Sequence, residues 1–129
     1  MTSQVRIIML VAVGILAIAL AVWGFGNRPE RNERYGATLS VAEATALSDV
    51  LARPADFEGR TVRIEGSISR ECPTGCWFDV DDGAVTLYVD LEPAGLAIPQ
   101  RVGKTVSVEG TVAVDNGQAK LLGRAVEIR

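Results

Sequence analysis

The chain has 129 residues, with thirteen Lys and Arg against sixteen Asp and Glu for a formal net charge of −3, and it has no histidine. That length holds one compact domain and an appendage rather than an elaborate multi-domain enzyme. Without histidine the commonest general acid/base near neutral pH and the commonest metal ligand are both missing, so any catalytic or metal site has to be built from other groups.

Residues 1–6 are a short tail ahead of residues 7–26, IIMLVAVGILAIALAVWGFG, a run without a charge. A helix of that length, rising about 1.5 Å per residue, spans roughly 30 Å, the thickness of a bilayer hydrocarbon core. The run is therefore predicted to anchor the chain in a membrane. Trp23 and Phe25 fall near its end, where bulky rings can lie at headgroup level. A cleaved signal peptide is the competing reading, because Ala19-Leu20-Ala21 has the small-x-small form of a cleavage site. The apolar run continues past that site, which favours a retained anchor, and it contains no cysteine for lipid attachment.

Two signals for orientation oppose each other. Arg6 and the amino terminus stand against Arg28, Arg31 and Arg34, a small excess of positive charge that would place the following domain in the cytoplasm. The signal-like N-terminus and a close cysteine pair suit an oxidising compartment. A single-pass cell-membrane protein with its C-terminal domain extracytoplasmic, in the periplasm, is the expectation.

Residues 27–38, NRPERNERYGAT, are polar and read as a solvated tether, and residues 39–129 as the domain. In SVAEATALSDVLARP, Ser40 and Glu43 have the spacing of a capping box, which predicts a helix starting there. Val41, Ala44, Leu47, Val50 and Leu51 give it one apolar face, and Pro54 ends it. Five strands are predicted next: RTVRIEGSIS, CWFDV, VTLYVD, KTVSVEGTVAV and AKLLGRAVEIR. Asp81-Asp82-Gly83 and Asp115-Asn116-Gly117 are hairpin signals between the second and third and between the fourth and fifth. The first and fourth strands share a pattern: Gly59/Gly103, Thr61/Thr105, Val62/Val106, Glu65/Glu109 and Gly66/Gly110 coincide at an offset of 44 residues. That predicts two strands in equivalent settings, each entering after a glycine turn and bending at an internal glycine.

Strands that bend in this way suit a small all-β barrel, here a five-stranded Greek-key barrel preceded by a short helix. Residues 38–129 resemble a small bacterial OB-fold. The leading TLSVAEA and the G-x-x-V-x-x-x-G-x-I first strand are similar to small periplasmic OB-fold families, and CPTGCW resembles the Cys-x-x-x-Cys-Trp stretch of a group of secreted OB-like proteins. Between the third and fourth strands, LEPAGLAIPQRVG carries two prolines, so the helix common there in OB-folds is expected to be short or replaced by a loop. In layout alone, one N-terminal helix and a small barrel resemble the haem chaperone of cytochrome c maturation. That resemblance implies a haem-attaching histidine, which this chain lacks, so no such residue is carried over.

OB barrels also bind single-stranded nucleic acid, on basic grooves with stacking rings. From Gly36 onwards there are nine Lys and Arg against fourteen Asp and Glu, a net of −5, which opposes a polyanion. Trp77, Phe78 and Tyr88 are the candidate rings for a ligand or partner surface, although strand alternation sends some of them inwards.

Cys72 and Cys76 are the only cysteines, with Pro73 and Gly75 between them to turn the chain. Three chemistries remain open for them. A disulfide would staple the loop, if the Cα atoms come within about 7 Å. A two-thiolate clip would suit a soft ion such as Cu(I), whereas zinc would need two further ligands, and the nearby Glu71 and Asp79 are poor partners for Cu(I). A redox pair is the third, although the spacing lacks the Cys-x-x-Cys form and its helix N-terminus. Asp79, Asp81, Asp82 and Asp90 lack calcium-loop spacing and read as turn and surface acids. No nucleophile with a base and no phosphate-cradling loop is found, so a non-enzymatic module without a fixed cofactor is expected. It would engage a partner protein or small ligand; the alternatives are a soft-metal or thiol carrier through Cys72 and Cys76, and a cytoplasm-facing nucleic-acid binder.

Overall fold

Residues 2–26 and 31–129 are described in this computed structural model. Contacts divide the chain into two units, one ending at Glu30 and the other spanning Arg31–Arg129. The first holds α1 (Thr2–Gly26), where after Arg6 the run has no charge and no proline that would end a helix before Gly26. Its 25 residues extend roughly 37 Å at about 1.5 Å each. The described side chains are exposed on every side, and Ser3–Ala21 is long and apolar enough to cross a membrane. The side chains of Trp23 and Phe25, expected at headgroup level, and residues 27–30 of the expected tether lie outside the described residues.

The second unit is built on one sheet of six strands: β1 (Glu33–Gly36), β2 (Thr61–Glu71), β3 (Trp77–Asp81), β4 (Thr86–Asp90), β5 (Thr105–Asp115) and β6 (Gln118–Ile128). Their order is β1-β6-β4-β3-β2-β5, and a further pairing of β5 with β6 closes five of them into a ring. Neighbours are antiparallel except β4 and β6, which run parallel. Alternation decides what the ring encloses: Val62, Ile64 and Ile68 of β2 and Val106, Val108 and Val112 of β5 are buried. Leu47 and Val50 of α2 (Leu47–Ala52) and Phe57 of α3 (Pro54–Phe57) join the same core. Each such side chain stabilises the fold by about 1.5–3 kcal/mol relative to exposure.

The repeated pattern in β2 and β5 marks matching glycine turns and matching close approaches, while a break in register at the internal glycine occurs in β5 and not in β2. Gly59 and Gly103 both take positive φ, 77° and 89°, in the turns that lead into the two strands. Gly66 and Gly110 lie where another backbone crosses closely: a Cβ on Gly66 would stand 2.5 Å from the Asp81 carbonyl oxygen, and one on Gly110 would run into that of Leu122. The register of β5 against β6 shifts at Glu109/Gly110. Asn116 and Gly117, at φ 50° and 76°, make the tight β5–β6 turn that the Asn-Gly signal predicts. Between β4 and β5 there is only a short 3₁₀ turn, Glu92–Ala94.

Two parts of the chain differ from their sequence reading. The second half of the expected tether is a sixth strand, β1, although ERYG has little strand character of its own. The cause lies in β6, which pairs with β4 only at Leu121 and Leu122 and leaves Ala125 to Ile128 open along that edge. Unpaired edge groups are a liability, and β1 pairs with them. The helix expected from Ser40 starts only at Leu47, with Ala46 at its N-cap and no capping side chain. Ser40 is drawn elsewhere: its N–H and hydroxyl, and the N–H of Val41, donate to the Glu109 carboxylate at 2.6, 2.7 and 2.9 Å. Glu109 is fully buried on β5. An unpartnered buried charge costs several kcal/mol and an N-cap about 1, so the carboxylate wins the serine.

Candidate functional site

The two cysteines lie on the loop joining β2 to β3, and hydrogen bonds from three directions fix that loop. Cys72 N–H donates to the Trp77 carbonyl at 3.0 Å, closing its neck, and Gly75 N–H donates to the Cys72 carbonyl at 2.9 Å, turning it. Leu91 N–H donates to the Cys76 carbonyl at 2.9 Å and Ile98 N–H to that of Gly75 at 3.1 Å. The Gln100 side-chain amide donates to the carbonyls of Cys72 and Pro73 at 2.8 and 3.4 Å. Gly75 has φ +76°, and a Cβ there would collide with the Ile98 backbone, so this position requires glycine.

This fixed turn brings the two sulfurs together. Cys72 Sγ and Cys76 Sγ are 2.8 Å apart, as free, partly exposed thiols. The Thr74 hydroxyl lies 3.1 Å from Cys72 Sγ and 3.6 Å from Cys76 Sγ. Hydrogen bonds from Cys76, then from Thr74, lower the Cys72 thiol to about 6 from an ordinary 9.0. Cys76 is pushed up, first by its bond to Cys72. Sequence spacing could not show this division; a helix N-terminus is one way to stabilise a thiolate, and a donating hydroxyl is another.

Beside the loop, the outer face of β3 and β4 carries Trp77 and Tyr88, stacked with centroids 5.4 Å apart and planes at 30°. The Arg70 guanidinium carbon is 5.5 Å from the Trp77 ring centroid, and its Nε donates to Asp79 at 2.7 Å. Tyr88 is 36% exposed, and desolvation raises its phenol pKa. Phe78 corrects the sequence reading. It has no exposed surface, because it lies one residue from Trp77 on β3 and alternation sends it into the core.

The acids of β3 and β4 are engaged locally. Asp81 accepts from Gly83 N–H at 2.6 Å and the Thr86 hydroxyl at 3.0 Å, and Asp82 accepts from Ala84 and Val85 N–H, each at 2.9 Å. The N–H groups of Val85 and Ala84 lower the Asp82 pKa. Asp90 accepts from Glu92 N–H at 3.0 Å and lies 3.9 Å from Lys120 Nζ. Glu71 accepts from Arg101 N–H at 2.6 Å. Among the described residues no three His, Cys, Asp or Glu side chains gather into a metal-binding group.

The structure brings together the thiols and the two rings singled out in the sequence, and adds Thr74, Gln100 and Arg70, which the sequence did not single out. Thr74 was visible between the cysteines, whereas Gln100 reaches the loop only through the fold.

No protein-family model matches the chain, and no curated protein sequence matches it. Solved structures do. The hypothetical protein ygiW from E. coli aligns with a TM-score of 0.53 at 15% identity, over 68% of this chain and 91% of that one. Asparaginyl-tRNA synthetase from Pyrococcus horikoshii, complexed with asparaginyl-adenylate, aligns with a TM-score of 0.54 at 17% identity, over 68% of this chain and 22% of that one. At such identities the likeness concerns the fold alone. The second unit is an OB-like β fold, in a chain that begins with a helix apolar enough to span a membrane.

Proposed function

We propose that this chain is a membrane-anchored, non-enzymatic accessory module: a Greek-key OB-like barrel on a single-pass helix, extracytoplasmic, that engages a partner protein across the outer face of β3 and β4. The observation that carries this reading is the Trp77–Tyr88 stack, partly open to solvent and capped by Arg70, next to the cysteine loop. In OB-folds the strand 2–3 face and the loop between strands 1 and 2 are the usual binding surface, and these correspond to β3, β4 and the Cys72–Cys76 loop. Rings of this kind dominate the energy of protein interfaces. Two grooves on this unit, of about 670 and 210 Å³, are lined by neither the rings nor the thiols. Nucleic acid fits this face poorly, since Arg70 and Lys120 are already opposed by Asp79 and Asp90.

The anchor is tested by alkaline extraction: the full chain stays with the membrane, and the chain begun at Arg31 does not. The surface is tested in cells with a photoreactive phenylalanine analogue at Tyr88 and, separately, at Asp56 on α3. A discrete adduct at Tyr88 alone, lost when Trp77→Ala is added, is the expected result. Equal adducts from both positions, or none from Tyr88, would remove the reading.

A further inference from the structure

The geometry points to Cys72 and Cys76 as a thiol–disulfide exchange site, in which Cys72 attacks a disulfide and Cys76 resolves the mixed disulfide that results. This does not depend on the partner-binding reading above. It rests on sulfurs 2.8 Å apart in a loop with access to solvent, and on Thr74, whose hydroxyl sits closer to Cys72 than to Cys76. That asymmetry, with the lowered Cys72 and raised Cys76 pKa values, assigns the roles.

Two other uses of the pair fit less well. A tetrahedral ion with two bonds of about 2.3 Å sets its sulfurs roughly 3.8 Å apart, and a linear two-coordinate ion sets them further still. Sulfurs 2.8 Å apart would have to open to take a metal, and need close only slightly to form a bond. As a staple the pair would close a very short loop, where the gain from restricting the unfolded chain is smallest. The Gln100, Leu91 and Ile98 bonds already hold that loop with its thiols free.

The exchange balances without a further reagent. The Cys72 thiolate attacks one sulfur of a protein or low-molecular-weight disulfide, forming a mixed disulfide and breaking the original S–S bond. The departing thiolate takes a proton from solvent. Cys76 loses its proton to solvent and attacks Cys72 Sγ, forming the Cys72–Cys76 bond and expelling the second thiolate, which is protonated in turn. Two electrons pass from the cysteine pair to the disulfide; the reverse sequence oxidises a dithiol.

The test uses the full chain in detergent with glutathione as the probe. Reduced protein mixed with oxidised glutathione is expected to form the intramolecular disulfide and release two glutathiones, in two steps. Cys76→Ser should stop with one glutathione on Cys72, and Cys72→Ser should react at Cys76 at least about 10-fold more slowly at pH 7. Thr74→Val, which leaves both thiols in place, should slow the first step. The proposal is overturned if the two single-cysteine variants react equally fast, or if neither reacts. It is equally overturned if the wild-type disulfide persists at every glutathione ratio, as a staple would.

Discussion

Glu109 on β5 and Cys72 at the end of β2 are both held ionised by hydrogen bonds, one with no exposed surface and the other on a loop open to solvent. Burial pushes the Glu109 carboxyl up, and Arg124, the N–H groups of Val41 and Ser40 and the Ser40 hydroxyl together reverse it, leaving a value of about 2. Its oxygens are fully occupied by these donors. Cys72 Sγ meets the Cys76 thiol and the Thr74 hydroxyl, on a loop where it stays partly exposed. A lowered pKa thus marks stored stability where the group is enclosed, and reactivity where its electron pair can still be reached.

The largest effect expected from this contrast is on folding. Glu109→Ala strands Arg124 and leaves the Ser40 and Val41 N–H groups unpaired, at a cost of about 3 kcal/mol. The double change Cys72→Ser/Cys76→Ser, measured reduced, should cost less than about 1 kcal/mol. Urea unfolding of residues 31–129 compares them, and equal losses would erase the distinction.

Acid sharpens the same point. The folded Glu109 value of about 2 lies below the ordinary 4.5, so the fold favours the ionised form. Its contribution is complete above the unfolded value and is lost as pH falls through the folded one. Glu109→Gln cannot titrate. Its deficit against wild type should therefore be full at pH 6 and shrink as the pH is lowered from 4.5 towards 2, and a deficit constant with pH would contradict the assignment.

On the thiol side, the loop itself can be disturbed without touching sulfur. Gly75→Ala forces a side chain into positive φ and against the Ile98 backbone. A strained turn of this kind costs about 1–3 kcal/mol. The variant should lose stability at the lower end of that range and expose both thiols to faster modification by a bulky maleimide, since the bonds from Ile98 and Gln100 no longer hold the turn. Unchanged modification would show that the loop is not held as described.

The contrast was only half legible in the sequence. Alternation in RTVRIEGSIS and KTVSVEGTVAV, the Asn116-Gly117 turn and the matched glycines located the ring strands, because those signals are local. Ser40 and Glu109 are far apart in sequence, and the local capping-box signal at Ser40 and Glu43 yielded to a buried charge that only the closed ring of strands creates. β1 was invisible for the same kind of reason, since an edge left by the short β4 recruits it. The cysteines were conspicuous, but their asymmetry depends on where a turn places one hydroxyl. Spacing alone had argued against redox chemistry for lack of a helix N-terminus.

The smallest expected effect is therefore also the most specific. Thr74→Val keeps both thiols, removes one donor at an exposed position and should change stability by less than about 0.5 kcal/mol. Iodoacetamide labelling of Cys72, followed by peptide mapping across pH, should be half-maximal near pH 6 in the wild type. In the variant the midpoint rises, and Thr74→Ser, which restores the hydroxyl, brings it back. Above the new midpoint the sign should reverse, because a less stabilised thiolate is intrinsically the better nucleophile. The variant would then label Cys72 more slowly than wild type at pH 6 and somewhat faster at high pH. A variant slower at every pH would instead indicate a displaced loop, and the Thr74 hydroxyl would lose its role in setting Cys72 apart from Cys76.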